Sequence, residues 1–161
     1  VGIIGLGAIG QRTAKLAQAF GCKVIAWNRT PKDVEGVTLV DKETLLKESD
    51  IITLHIALNE ETRNFITAKE IGMMKPSAII INAARGPIIN TNDIAEALRN
   101  GRISGAALDV FDKEPPLDKS NPLLNLPNTM LMPHIGFATE EAFELRLGIV
   151  VKNVEKFVSA C

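Results

Sequence analysis

Cysteine is scarce in this chain, with two in 161 residues. Cys22 and Cys161 have no CxxC partner and no histidine at ligand spacing, which excludes a disulfide framework and a zinc site. The expectation is one packed thiol at Cys22 and one exposed at the terminus, in a reducing, cytoplasmic compartment. Net charge is nearly absent too, at a formal −1. That leaves no electrostatic reason to expect nucleic acid or an anionic membrane as a partner. No apolar run approaches the roughly 18 residues that a membrane span needs. The opening Val1-Gly2-Ile3-Ile4-Gly5 lacks a basic n-region and a cleavage signal, so it does not read as a secretory leader. Internal repeats and low-complexity stretches are missing as well. What the chain does have is 46% apolar residues, enough to bury a sizeable core. Its length fits one ordinary domain over residues 1–161.

The apolar residues switch repeatedly between short runs and helical spacing, the pattern of βαβ units. Strands are expected at Gly2–Ile4, Val24–Trp27, Thr38–Val40, Ile51–Leu54, Ala78–Asn82, Gly105–Asp109 and Met130–Met132. Several are apolar throughout rather than alternating, as in a parallel sheet covered on both faces. A helix over Ile9–Phe20 is expected to stop at Gly21 in a left-handed C′ conformation. Thr67-Ala68-Lys69-Glu70 reads as a capping box opening a short helix, and Asn92–Asn100 as a helix ended by Gly101. Along Thr139–Ala160, Phe143, Leu147, Val150, Val154 and Phe157 put one apolar stripe on a helix of about six turns. The prolines of Phe111–Pro127 mark a loop.

Gly5-Leu6-Gly7-Ala8-Ile9-Gly10 is a G-x-G-x-x-G between the first strand and the first helix, the context in which this motif holds a dinucleotide. The first glycine permits a tight turn, the second lets a pyrophosphate approach the backbone, and the third lets helix and strand pack closely. The helix N-terminus adds free N–H groups and partial positive charge. Together these features specify an α/β fold: a doubly wound parallel sheet of about seven strands with helices on both faces, the Rossmann arrangement. The second strand should end at the adenosine ribose, where NAD-preferring proteins place Asp or Glu. Here the sequence is Trp27-Asn28-Arg29-Thr30, with no acid before Asp33. Arg29 can pair with a 2′-phosphate and Thr30 can donate to one, so the expected cofactor is NAD(P), with NADP favoured over NAD.

Ligands of open α/β sheets sit at the carboxyl ends of the strands. Arg85 follows the fifth expected strand, Asp109 closes the sixth, and His134 follows the seventh. Glu114 stands at the start of the proline-rich loop. An Arg, a Glu and a His on one sheet edge beside a nicotinamide site point to hydride transfer coupled to proton transfer. Arg offers a planar fork for a substrate carboxylate. His can protonate or deprotonate an oxygen near neutral pH, and a Glu on its far ring nitrogen would fix the tautomer.

With these residues in view, the sequence resembles the D-isomer-specific 2-hydroxyacid dehydrogenases. The resemblance rests on the glycine turn, on Asn82-Ala83-Ala84-Arg85-Gly86, on the stretch Gly105–Pro116 (GAALDVFDKEPP), and on Pro133-His134-Ile135-Gly136. It covers essentially the whole chain in the family's order. It implies that Arg85 binds the substrate carboxylate, that His134 is the general acid/base, and that Glu114 pairs with it. It further implies that Asp109 contacts the nicotinamide side, Ala8 and Ile9 the pyrophosphate, and Asn28 the adenosine ribose. Backbone around Ile56, Ala57, Ala83, Ala84 and Gly136, with Thr62, would line the rest of the groove. The substrate implied is a small 2-oxo or 2-hydroxy acid of the glyoxylate/hydroxypyruvate, phosphoglycerate or lactate type, and members commonly form homodimers through this domain.

The sequence departs from the family pattern at two points. In His55-Ile56-Ala57 an alanine replaces the usual proline, which should loosen that loop, and Asn28 replaces the NAD-type acid. His55 reads as structural, because the resemblance gives the proton to His134. Val1 begins inside the first strand, so the chain reads as an excerpt without the family's substrate domain, inactive alone. The helix over Thr139–Ala160 would lead back to that domain and lack part of its usual cover. An alternative reading is a non-enzymatic, NAD(H)-sensing corepressor-like protein of the same fold. The 6-phosphogluconate and 3-hydroxyisobutyrate dehydrogenase class shares the first turn, but nothing here matches its lysine.

Overall fold

Short apolar runs form the sheet. In the computed structural model, which describes residues 1–160, the strands are β1 (Gly2–Ile4), β2 (Val24–Trp27), β3 (Val37–Leu39), β4 (Ile51–Leu54), β5 (Ile79–Asn82), β6 (Gly105–Leu108) and β7 (Thr129–Leu131). All pair in parallel, in the order β3-β2-β1-β4-β5-β6-β7. The order reverses between β1 and β4, so a crevice opens above their carboxyl ends. Relative to the sequence reading, β3 and β7 sit one residue earlier, and β5 and β6 are each one residue shorter.

The helices are α1 (Ala8–Ala19), α2 (Lys42–Glu48), α3 (Ala68–Ile71), α4 (Thr91–Arg99) and α5 (Glu140–Val158), with a 3-10 turn at Gly86–Ile88. Sequence periodicity does not announce α2, which is seven residues long and too short to show a repeating stripe. Asp41 caps it by accepting from the Thr44 N–H at 2.8 Å, and Leu45 and Leu46 anchor it in the core.

Neighbouring strand residues face opposite ways, and this splits the core in two. Ile3, Val24 and Ala26 pack with Leu6 and Ala14 of the α1 side. Ile4, Ile25, Ile52 and Leu54 face the other way into the larger cluster, with Leu45, Leu46, Ile71 and Ile94 from α2, α3 and α4. Cover on the α1 face ends partway across the sheet, where Ile51, Ile79 and Met130 are exposed. Helix α5 buries none of its residues; Phe143, Leu147, Val150, Val154 and Phe157 are all exposed. The expectation of a packed Cys22 is wrong: the thiol is exposed. It occupies the turn between α1 and β2, where its N–H bonds the Ala17 carbonyl at 3.0 Å and neither element covers its side chain. Cys161 lies outside the described residues.

One partly buried ion pair ties α2 to the capping box of α3. Glu70 accepts from the Thr67 hydroxyl at 2.6 Å and from the Thr67 N–H at 3.1 Å, while Lys42 Nζ reaches its other oxygen at 3.0 Å. Burial pushes the Glu70 carboxyl up, but the bonds from Thr67 and Lys42 outweigh it and hold the group down at about 2. The carboxylate's stabilisation is therefore complete above the ordinary value of 4.5 and is lost as pH falls from there toward about 2. Glu70→Gln is expected to lower the unfolding free energy at neutral pH by about 1–3 kcal/mol. It should also flatten the acid limb of the stability curve between those two values, as read by urea unfolding across that range.

Candidate functional site

The crevice begins at the turn from β1 into α1. Gly5 takes φ +102°, a conformation that side-chain-bearing residues rarely adopt. A Cβ on Gly10 would overlap the carbonyl oxygen of Gly5, so only hydrogen fits where α1 crosses the end of β1. At Gly7 nothing lies within 4 Å of the Cβ position, which leaves the backbone open to a ligand. Asn28, just past β2, pins the turn: its Oδ1 accepts from the Leu6 N–H at 2.9 Å and its Nδ2 donates to the Thr30 carbonyl at 2.6 Å.

On this side lies a cavity of about 300 Å³ bounded by Asn28, Arg29 and Thr30 on one bank. Asn59, Glu61 and Thr62, from the segment after β4, form the other. That segment is held tightly. Thr62 Oγ1 donates to the Ala57 carbonyl at 2.7 Å and accepts from the Asn59 N–H at 2.8 Å, and Asn59 Oδ1 accepts from the Thr62 N–H at 2.9 Å. The Ala57 carbonyl is thereby tied to Thr62, although the residue lacks the ring that stiffens a proline. Arg29, expected to face a phosphate, lines this cavity and pairs with Glu61 at 3.2 Å. The Asn-x-x-Thr pattern of this loop is readable locally. The Arg29–Glu61 contact spans 32 positions and carries no local signal.

A second cavity, about 730 Å³, shares His55, Ile56 and Ala57 with the first, so one groove crosses the carboxyl ends of the strands. Ile9, Ala83, Ala84, Arg85, Asp109, His134 and Gly136 line it. Of the expected cofactor residues, Ala8 and Gly10 line neither cavity. Ala8 is the first residue of α1, where backbone N–H groups have no partner within the helix, and Gly10 is buried under the turn. At the junction of the two cavities His55 bonds Thr53 Oγ1 through Nε2 at 3.1 Å, and burial pushes its pKa down, which favours the neutral ring. Its place on the groove wall was not foreseen.

Arg85 follows β5 on a turn held by Asn82, whose Nδ2 donates to the Arg85 carbonyl at 2.9 Å. The guanidinium is exposed, with Nη1 donating to the Ala84 carbonyl at 2.6 Å. His134 Nδ1 lies 2.8 Å from Glu114 Oε1, leaving Nε2 as the other ring nitrogen. Glu114 is held by the Phe111 N–H, which donates to its Oε2 at 3.2 Å. His134 takes φ +55°, a strained conformation for a residue with a side chain. Asp109 compensates: Oδ1 accepts from the Ile135 N–H at 2.9 Å and Oδ2 from the Gly136 N–H at 2.7 Å. A side chain at 136 would press on that carboxylate. Among the described residues no cluster of three or more His, Cys, Asp or Glu could hold a metal. No described helix is long and apolar enough to cross a membrane.

Residues 1–136 match the family model described as D-isomer specific 2-hydroxyacid dehydrogenase, NAD binding domain. A glyoxylate reductase of Thermococcus litoralis is 48% identical over 161 residues, a match that covers 98% of this chain and 48% of that protein. Among solved structures, the NAD-complexed D-isomer specific 2-hydroxyacid dehydrogenase of Lactobacillus delbrueckii ssp. bulgaricus superposes with a TM-score of 0.88 at 34% identity. It covers 98% of this chain and 52% of the other. An acyclic imino acid reductase in complex with NADPH and D-Arg gives 0.87 at 38% identity, over 99% of this chain and 50% of that one. The chain spans about half the length of the curated relatives it matches. Sequence and backbone agree, and the chain belongs to the D-isomer specific 2-hydroxyacid dehydrogenases as their NAD binding domain.

Proposed function

We propose that the protein to which this chain belongs reduces small 2-oxo acids to D-2-hydroxy acids, and runs the reverse oxidation, with NAD(P)(H) in the crevice. The observation that carries this reading is the His134–Glu114 pair, whose histidine opens onto the same cavity as Arg85. The crevice suits a dinucleotide: an open backbone at Gly7 and the α1 N-terminus for the pyrophosphate, a polar cavity to one side and a larger one to the other. A bound nicotinamide supplies or accepts the hydride.

The chain's own residues do the rest. Arg85 keeps guanidinium N–H groups free for a two-point contact with the substrate carboxylate. In reduction, His134 as imidazolium gives its Nε2 proton to the carbonyl oxygen as negative charge develops there. Glu114 holds the Nδ1–H and balances the ring's charge; in oxidation the neutral ring takes the proton back. Glyoxylate, from the name of the Thermococcus relative, is the first acid to try. Turnover needs a second wall to exclude water and hold the acid against the nicotinamide, so this chain alone is read as inactive. Arg29, with no acid at position 28, favours NADP over NAD.

For the complete enzyme, kcat/KM for reduction should fall as pH rises and that for oxidation should fall as pH drops, through the same free-enzyme group. His134→Ala should cost about 100-fold or more in kcat, and steady-state kinetics with near-normal kcat would remove the assignment. Asp109→Asn leaves one of two backbone donors without an acceptor in a strained turn, so kcat/KM should drop about 10-fold or more. Urea unfolding of the same variant separates a loss of His134 geometry from general destabilisation. Arg29→Ala should weaken NADP(H) by about 1–3 kcal/mol and leave NAD(H) close to unchanged, as measured calorimetrically.

A further inference from the structure

Arg29 does not stand alone at the mouth of the adenosine-side cavity. Its partner Glu61 lies on the opposite bank of that cavity, with Oε2 at 3.2 Å from Nη1. The Asn59–Thr62 hydrogen bonds described above fix the backbone on either side of Glu61, so its carboxylate belongs to a held loop. The pair therefore bridges the cavity between the β2 bank and the β4 bank.

We infer that Glu61 is a specificity-determining residue that works against a 2′-phosphorylated cofactor. The inference rests on the reading that the adenosine ribose sits at the Asn28–Thr30 bank. A phosphate monoester carries between one and two negative charges near neutral pH. Seated on Arg29, it comes well within a Debye length of about 8 Å of the Glu61 carboxylate, so salt screens the repulsion only in part. Glu61 could also help by holding Arg29 in place. With side chains 76% and 74% exposed, however, the pair is worth little as an anchor. The same exposure weakens the repulsion, but the phosphate carries more than one charge and repelling it needs no ordering of side chains, so repulsion is the larger effect. A neutral 2′-hydroxyl feels neither effect. Selectivity for NADP over NAD is then a balance of two side chains, with Arg29 raising it and Glu61 lowering it.

The test is calorimetric titration of NADPH and NADH into the chain as it stands, into Glu61→Gln and Arg29→Ala, and into the double variant, at low and high salt. Glu61→Gln should tighten NADPH by about 3- to 10-fold and NADH by less than about 2-fold, with the gain shrinking at high salt. Glu61→Ala should shift the ratio in the same direction, and both sites are exposed enough for the fold to survive, which circular dichroism checks. An unchanged NADPH-to-NADH ratio in Glu61→Gln overturns the inference, and so does weaker NADPH binding, which would make Glu61 a holder of Arg29. The two readings fail separately. If Arg29→Ala leaves NADPH affinity unchanged, the reading of Arg29 falls; tightening by Glu61→Gln in that background still supports repulsion by Glu61, and no tightening there rejects it.

Discussion

The close approach of α1 to β1, with Gly10 set against the carbonyl of Gly5, governs the geometry of the whole crevice. Any side chain there would push the helix outward and swing its N-terminus away from the point where the strand order reverses. With the helix held in, its unpaired N–H groups open onto the floor formed by Gly7. The cavities on either side then share a wall of His55, Ile56 and Ala57 instead of forming separate pits. One contact between two glycines thus helps make a continuous groove out of the ends of six of the seven strands.

The far end of that groove is built on different terms. Sheet packing carries α1, whereas His134 stands on an irregular segment in a conformation that costs on the order of 1–3 kcal/mol. Two backbone N–H groups donating to one ionised carboxylate, at 2.9 and 2.7 Å, supply the compensation. Glu114 reaches the ring from a loop that itself hangs on the Phe111 N–H. The proposed proton chemistry would thus rest on hydrogen bonds between loops, and the binding of the cofactor on the sheet. The ordering fits an NAD binding domain whose dinucleotide lies along the sheet.

Much of this was legible in the sequence. Runs such as Val24–Trp27 are strands because they are apolar on both faces, and the glycine turn names its own context. Helix α4 declared itself through the run Asn92–Asn100 and its stop at Gly101, while its cap, Asn90, went unread. Helix α2 did not, being shorter than the period that reveals a stripe. The exposure of Cys22 depends on what packs beside a turn, which no residue near it encodes. Asp109 was legible as a residue at a strand end, yet its grip on the His134 loop joins positions 26 and 27 apart. Glu61 was invisible for the same reason: only the fold brings the bank after β4 to the bank after β2. Local chemistry was readable, and pairings across the crevice were not.

Asn28 has a consequence for how such a domain could change cofactor. Its amide uses both ends, accepting from Leu6 in the phosphate turn and donating to the Thr30 carbonyl beyond Arg29. A carboxylate at this position could keep the first bond but has no proton for the second. Replacing Asn28 by the acid that recognises a ribose diol would therefore release the short arc carrying Arg29 and Thr30 from its anchor. Two oxygens would then face each other at the site of the 2.6 Å bond. The single-residue exchange that looks simplest on paper lands on a strained intermediate. A lineage moving between the two dinucleotides would have to rebuild the arc first and change the charge second.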